Sequence, residues 1–139
     1  MPFEEEPSLD NSQIRFAFLR PYSSLAEVLN DHELASLGDS YANFIFSIVL
    51  SNKKGKASGA KVRGSVLANA LRKAGLRKHL PSRMTKHMLA DAAEALMAYG
   101  WLRNCTSIME SVATIQKAKD SAEGFSLLLA AIKNQVTFP

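Results

Sequence analysis

Asp91 and Glu94 stand three residues apart in the middle of a run that is nearly all apolar or small, Met84 to Leu102. On a helix, residues three apart lie on one face, so the two carboxylates point the same way. Their neighbours Leu89, Ala90, Ala92, Ala93, Ala95 and Leu96 are what a buried helix carries. A charged pair set among them is costly unless something compensates it. A divalent cation does so, since carboxylate oxygens are the ligands Mg²⁺ prefers. Spacing alone serves equally well for a pair on a solvated helix edge. A third acid, Asp39, also sits among apolar residues, in the stretch Leu34 to Leu50. If the two helices pack side by side, the three carboxylates converge, and they repel one another without a cation between them. Carboxylate-held Mg²⁺ beside a basic, phosphate-binding surface is an arrangement for phosphodiester hydrolysis.

Such a surface is present in the charge pattern. The net charge is only +4, yet Ser40 to Ala90 contains no Asp or Glu and carries Lys53, Lys54, Lys56, Lys61, Arg63, Arg72, Lys73, Arg77, Lys78, Arg83 and Lys86. A soluble surface ordinarily mixes both signs. A one-signed span makes a positive field that suits a phosphate-rich partner.

The elements that must position these groups are helical. Residues 1 to 9, with Pro2, Pro7 and Glu4 to Glu6, read as an acidic, flexible arm, and residues 10 to 139 as one domain. Asp10 or Ser12 is placed to cap a short helix through Leu19, ended by Pro21, and Ser23 or Ser24 a second, Leu25 to Leu29. Asn30 or Asp31 starts a long helix to Leu50, with Leu34, Leu37, Tyr41, Phe44, Ile45, Ile48 and Val49 at three- and four-residue spacing. Gly38 in its middle costs about 1 kcal/mol relative to Ala, which points to close approach by another backbone or helix. Ser51 to Gly59 reads as a flexible basic loop and Ala60 to Ala74 as a helix ended by Gly75. After Pro81 and Ser82 comes the Asp91–Glu94 helix, then closing helices at Ser107 to Ala118 and Ser121 to Val136. No period-two strand pattern and no internal repeat occur, so the fold class is all-α, one helical bundle.

No apolar run reaches the ~18 residues that span a membrane, and the acidic N-terminus is neither a signal nor a transit peptide. The single cysteine, Cys105, excludes an internal disulfide or a multi-cysteine metal site. It reads as structural, and the location expected is cytoplasmic.

Three blocks resemble the ribonuclease III family. Leu37-Gly38-Asp39-Ser40 is similar to the Leu-Gly-Asp-Ala/Ser core of its signature. Val62-Arg63-Gly64 with Leu67-Ala68 is similar to the stretch after the signature helix, and Ala90-Asp91-Ala92-Ala93-Glu94-Ala95-Leu96 to the second acidic motif, Ala-Asp-x-x-Glu-Ala-Leu. The match covers Leu25 to Leu102. It implies an all-α, ribonuclease III endonuclease-domain bundle that dimerises and cuts double-stranded RNA with Mg²⁺, or with Mn²⁺ in its place. Asp39, Asp91 and Glu94 would be its catalytic metal ligands. No separate double-stranded RNA-binding domain is expected, so the chain resembles the stand-alone mini-III branch. It departs from the family in two places. Ala35 stands where the signature has a metal-binding Glu, as mini-III members also tend to have a small residue, and Lys54, Gly55 and Lys56 replace an acid after the signature helix.

Asn43, one turn after Asp39, is a candidate neutral oxygen ligand or a support through water, and His87, four residues before Asp91, a candidate substrate or water contact. Lys53, Lys54 and Lys56 are the leading RNA contacts, ahead of Lys61, Arg63 and Lys86. His32 and His79 read as surface or structural, and Trp101, Met97 and Tyr99 as core or dimer contact. The small and apolar residues Ala35, Gly38, Ala42, Ala92, Ala93, Met97 and Gly100 exceed what one helix needs to cover, which predicts a C₂ homodimer. Two functions are carried forward: an Mg²⁺-dependent endoribonuclease acting on duplex RNA, and a non-catalytic RNA-binding protein that keeps the fold.

Overall fold

The computed structural model describes Phe16 to Pro139, and the acidic arm at residues 1 to 9 lies outside the described residues. Six α-helices follow in order: α1 (Leu25–Leu29), α2 (His32–Lys54), α3 (Gly64–Lys73), α4 (Lys86–Leu102), α5 (Ile108–Lys117) and α6 (Ser121–Gln135), with a 3₁₀ turn at Arg77–His79 between α3 and α4. No strand occurs among the described residues. The fold class is all-α, as the periodicity requires.

Local chemistry sets most boundaries. The Ser24 hydroxyl accepts from the Glu27 N–H to start α1. Asp31 starts α2 by accepting from Glu33 and Leu34 N–H at 3.0 and 3.1 Å. Thr85, Ser107 and Asp120 do the same for α4, α5 and α6. The helix expected up to Leu19 is not formed in its described part, where Phe16 to Leu19 make a turn closed by the Leu19 N–H to Phe16 carbonyl bond.

Two boundaries differ from expectation. α2 continues through Ser51 to Lys54, and the break comes at Gly55, which takes a left-handed φ of 74°. Lys53 and Lys54 in the last turn favour the helix dipole, and Gly55 is the residue that can leave it. The flexible loop expected from Ser51 is therefore helical in its first part. Conversely, Ala60 to Arg63 are extended and α3 begins only at Gly64.

α4 is the centre. Its residues are buried almost all round, and it packs against α1, α2, α3 and α6, while α5 lies on α2 and α6. α2 is long and apolar enough, by length and composition only, to cross a membrane, although polar residues interrupt its apolar run. Here it packs against α4 and α5.

The α2–α4 crossing explains Gly38. A Cβ at that position would stand 1.9 Å from the Glu94 carbonyl oxygen, so the two backbones touch there. No side chain fits between them. The close approach inferred from the helix penalty is present, and it puts Asp39 beside Glu94. Ala35, Gly38, Ala42, Ala92, Ala93, Met97 and Gly100, assigned in part to a second copy, are all buried within the chain itself. Their apolar surface is used by the helix crossings and is not left over for a partner.

Candidate active site

His32, Ala35, Ser36 and Asp39 from α2 face His87, Asp91 and Glu94 from α4 across one open cleft of about 320 Å³. The three acids therefore converge, although they come from helices separated by the whole basic segment. They are not buried alike. Glu94 is 6% exposed. The Asp91 side chain is 26% exposed. Asp39 is exposed, against the expectation from its apolar neighbours. The reason is register: Gly38 takes the crossing, and the next residue is turned about 100° away, to the rim.

Burial dominates the electrostatics of Glu94. Together with a hydrogen bond to Asp39 and the negative charges of Asp39 and Asp91, it pushes the carboxyl up to about 8. The direction of the shift favours the protonated carboxyl, the form that can donate to Asp39. No Lys or Arg forms an ion pair with any of the three acids among the described residues, where the only contact of this kind is His87 Nε2 to Asp91 Oδ2 at 3.6 Å. His87 thus sits over Asp91, one turn away on the same helix face.

Asn43 has a different part from the one expected. Its Oδ1 accepts from the Val62 backbone N–H at 2.9 Å, and its Nδ2 donates to Asp39 Oδ1 at 3.3 Å. One lone pair of the oxygen is engaged by a fixed donor, and the amide nitrogen orients Asp39.

The basic residues divide into two groups. Lys61 and Arg63 are exposed on the extended segment that Asn43 holds beside Asp39. A Cβ on Gly64 would lie 3.8 Å from the Ala90 Cβ, which sets this segment against the first turns of α4. Lys86 is exposed next to His87. Lys53, Lys54 and Lys56 are exposed at the far end of α2, roughly 20 Å along the helix from Asp39. Lys61 and Arg63 thus flank the residue tied through Asn43 to Asp39, and the three loop lysines stand farther along α2.

Two further residues line the cleft: Ser36, which the sequence did not single out, and His32, which reads there as surface or structural. His32 and Ser36 lie on the face that carries Asp39 and Asn43. The spacing 32, 36, 39, 43 was visible as a helical stripe, but nothing local distinguished it from a solvated edge.

A family model described as Ribonuclease III matches residues 32–134. The chain belongs to the ribonuclease III family. That match takes in every helix from α2 to α6 apart from the last residue of α6, and all the cleft residues. A comparison with curated proteins gave no match. Membership makes this a ribonuclease-type domain associated with RNA processing.

The donor set suits a hard divalent cation, with three carboxyls and no Lys or Arg partner among the described residues. Among the described residues, no three His, Cys, Asp or Glu side chains already stand close enough to enclose an ion. Mg²⁺ does not need such a cage, because it keeps several waters and is held by one or two carboxylates plus substrate phosphate. The residues therefore fit a cation that is completed by water and substrate.

Proposed function

We propose that this ribonuclease III-family chain is a divalent-metal-dependent endoribonuclease that hydrolyses phosphodiesters of double-stranded RNA in the cytoplasm. The observation that carries this reading is the convergence of Asp39, Asp91 and Glu94 on one cleft, with Glu94 buried and, among the described residues, unpaired by any base. A fold serving only to bind RNA gains nothing from burying a carboxyl at a cost.

Asp39, Asp91 and Glu94 would hold Mg²⁺, or Mn²⁺ in its place. When bound, the ion supplies an activated water and stabilises the leaving 3′-oxygen, which yields 5′-phosphate and 3′-hydroxyl ends. Asp39 is held by Asn43, so its carboxylate is oriented before substrate arrives. Glu94 retains its proton on the carboxyl facing Asp39 until a cation makes the ionised form favourable. Lys61, Arg63 and Lys86 contact phosphates and 2′-hydroxyls of the duplex, with little reading of bases.

Incubation with long duplex RNA and Mg²⁺ or Mn²⁺ tests the proposal. Wild type is expected to cut, and Asp39→Asn to cut only at background. Equal rates for the two would show that the site is elsewhere. Ala35 favours the second reading, a non-catalytic RNA-binding protein, because it lines the cleft where the family signature carries an acid. A mobility shift without cleavage, over a range of metal and protein concentrations, would decide for it.

We also infer a C₂ homodimer. The small residues are consumed internally, so its support is now the outer face of α2. There Leu37 is 41% and Phe44 55% exposed, with partly buried Tyr41 and Ile48 continuing the same stripe.

A further inference from the structure

The extended segment Ser58 to Val62 is held along α2 by a ladder of side chains. Ser51 Oγ accepts from the Ser58 N–H at 2.9 Å and lies 3.1 Å from its carbonyl oxygen. Ser47 Oγ accepts from the Ala60 N–H at 2.9 Å and donates to its carbonyl at 3.0 Å. Asn43 Oδ1 accepts from the Val62 N–H at 2.9 Å. The rungs on α2 fall at every fourth residue, and those on the segment at every second.

The two periods match in length. Four helical residues rise about 6.0 Å, and two extended residues advance about 6.6 Å. An extended chain running antiparallel to α2 therefore stays in register with Asn43, Ser47 and Ser51 over all three rungs. Alternation fixes the other face: Ser58, Ala60 and Val62 are partly buried, whereas Gly59, Lys61 and Arg63 are exposed. The last rung, Asn43, also donates to Asp39. The basic pair Lys61 and Arg63 is thus tied by one continuous hydrogen-bonded path to an acid of the cleft.

We infer that Asn43, Ser47 and Ser51 are positioning residues. They fix the segment as a rigid strap, so that Lys61 and Arg63 grip duplex RNA phosphates at a set offset from Asp39. The inference rests on the RNA reading proposed above. The strap makes phosphate contacts preorganised.

Ser47→Ala with Ser51→Ala removes two rungs and leaves Asn43 and the acids in place. Amide hydrogen exchange at Ser58 and Ala60 should quicken in this variant, with Ser47→Ala alone serving if the pair does not fold. Unchanged exchange would overturn the ladder. Duplex binding is then measured against salt in a cycle with Lys61→Ala/Arg63→Ala. On the intact strap, the basic pair's removal should flatten the salt slope by about 2. On the loosened strap it should flatten it by less than half as much, because a mobile strap no longer presents both charges together. Cleavage ends mapped at one nucleotide should spread to neighbouring positions when the rungs are lost. Equal, additive losses with unspread ends would overturn the positioning role while wild type still binds RNA. Absence of any duplex binding by wild type would overturn the RNA reading itself.

Discussion

Glu94 shows how one residue carries two roles at once. Its backbone carbonyl takes the closest point of the α2–α4 crossing, and its side chain is the buried acid of the cleft. Burial first, then Asp39 and Asp91, raise its carboxyl from 4.5 to about 8 in the folded chain. Between these values the unfolded chain loses the proton and the folded one keeps it. Without metal, the contribution of Glu94 is therefore full below pH 4.5, falls as pH rises, and levels off above about 8. Glu94→Gln cannot ionise and should be flat over that window. At pH 8 it should exceed the metal-free wild type by roughly 2–4 kcal/mol in urea unfolding. Parallel curves for the two proteins would remove Glu94 as the buried titrating group. Adding Mg²⁺ should recover stability in wild type and not in the variant, since a ligand that binds only the folded state stabilises it.

Among the elements, the α2–α4 contact decides the geometry of the cleft. Gly38 has no room for a methyl, and what it meets is backbone, which cannot swing aside. Gly38→Ala should force the helices apart at the point where Asp39 and Glu94 meet. The expected cost is roughly 3 kcal/mol, the upper part of the overpacking range. Thermal unfolding should show the loss, and cleavage should fall further than the unfolded fraction explains, because the acids are displaced in the molecules that still fold. A variant with wild-type melting and activity would contradict the crossing. The strap is the second element whose placement matters. Its composition, with Ser, Gly and Lys, is that of a loop, and its backbone hydrogen bonds are made to side chains of α2.

At the scale of the whole molecule, a single cleft lies on one side of one chain. Pairing two copies would let two such clefts address the two strands of a duplex. The exposed stripe of Leu37 and Phe44 is apolar surface that the described residues leave uncovered. Leu37→Glu with Phe44→Glu should convert a dimer to a monomer in light scattering at micromolar concentration, since a buried like-charge pair at a two-fold is repelled from its own image. Wild type that scatters as a monomer while fully active would refute the assembly.

The chain's local chemistry determined the helices. Apolar residues at three- and four-residue spacing, with Asp31, Thr85, Ser107 and Asp120 as caps, place α2, α4, α5 and α6 to within a few residues. The shared face of Asp91 and Glu94, and the glycine beside Asp39, were legible for the same reason: each depends only on neighbours within one helical turn. The end of α2 was not, because Ser51 to Lys54 have loop-like composition, and it is the left-handed Gly55 that stops the helix. The exposure of Asp39, the burial of Glu94 and the hydrogen bond from Val62 to the Asn43 oxygen were decided by tertiary structure. So was the placement of Lys61 and Arg63 beside the residue tied through Asn43 to Asp39. These features join residues distant in sequence. No periodicity encodes them, because they follow from which helix faces touch and from the match between a helix's rise and an extended chain's.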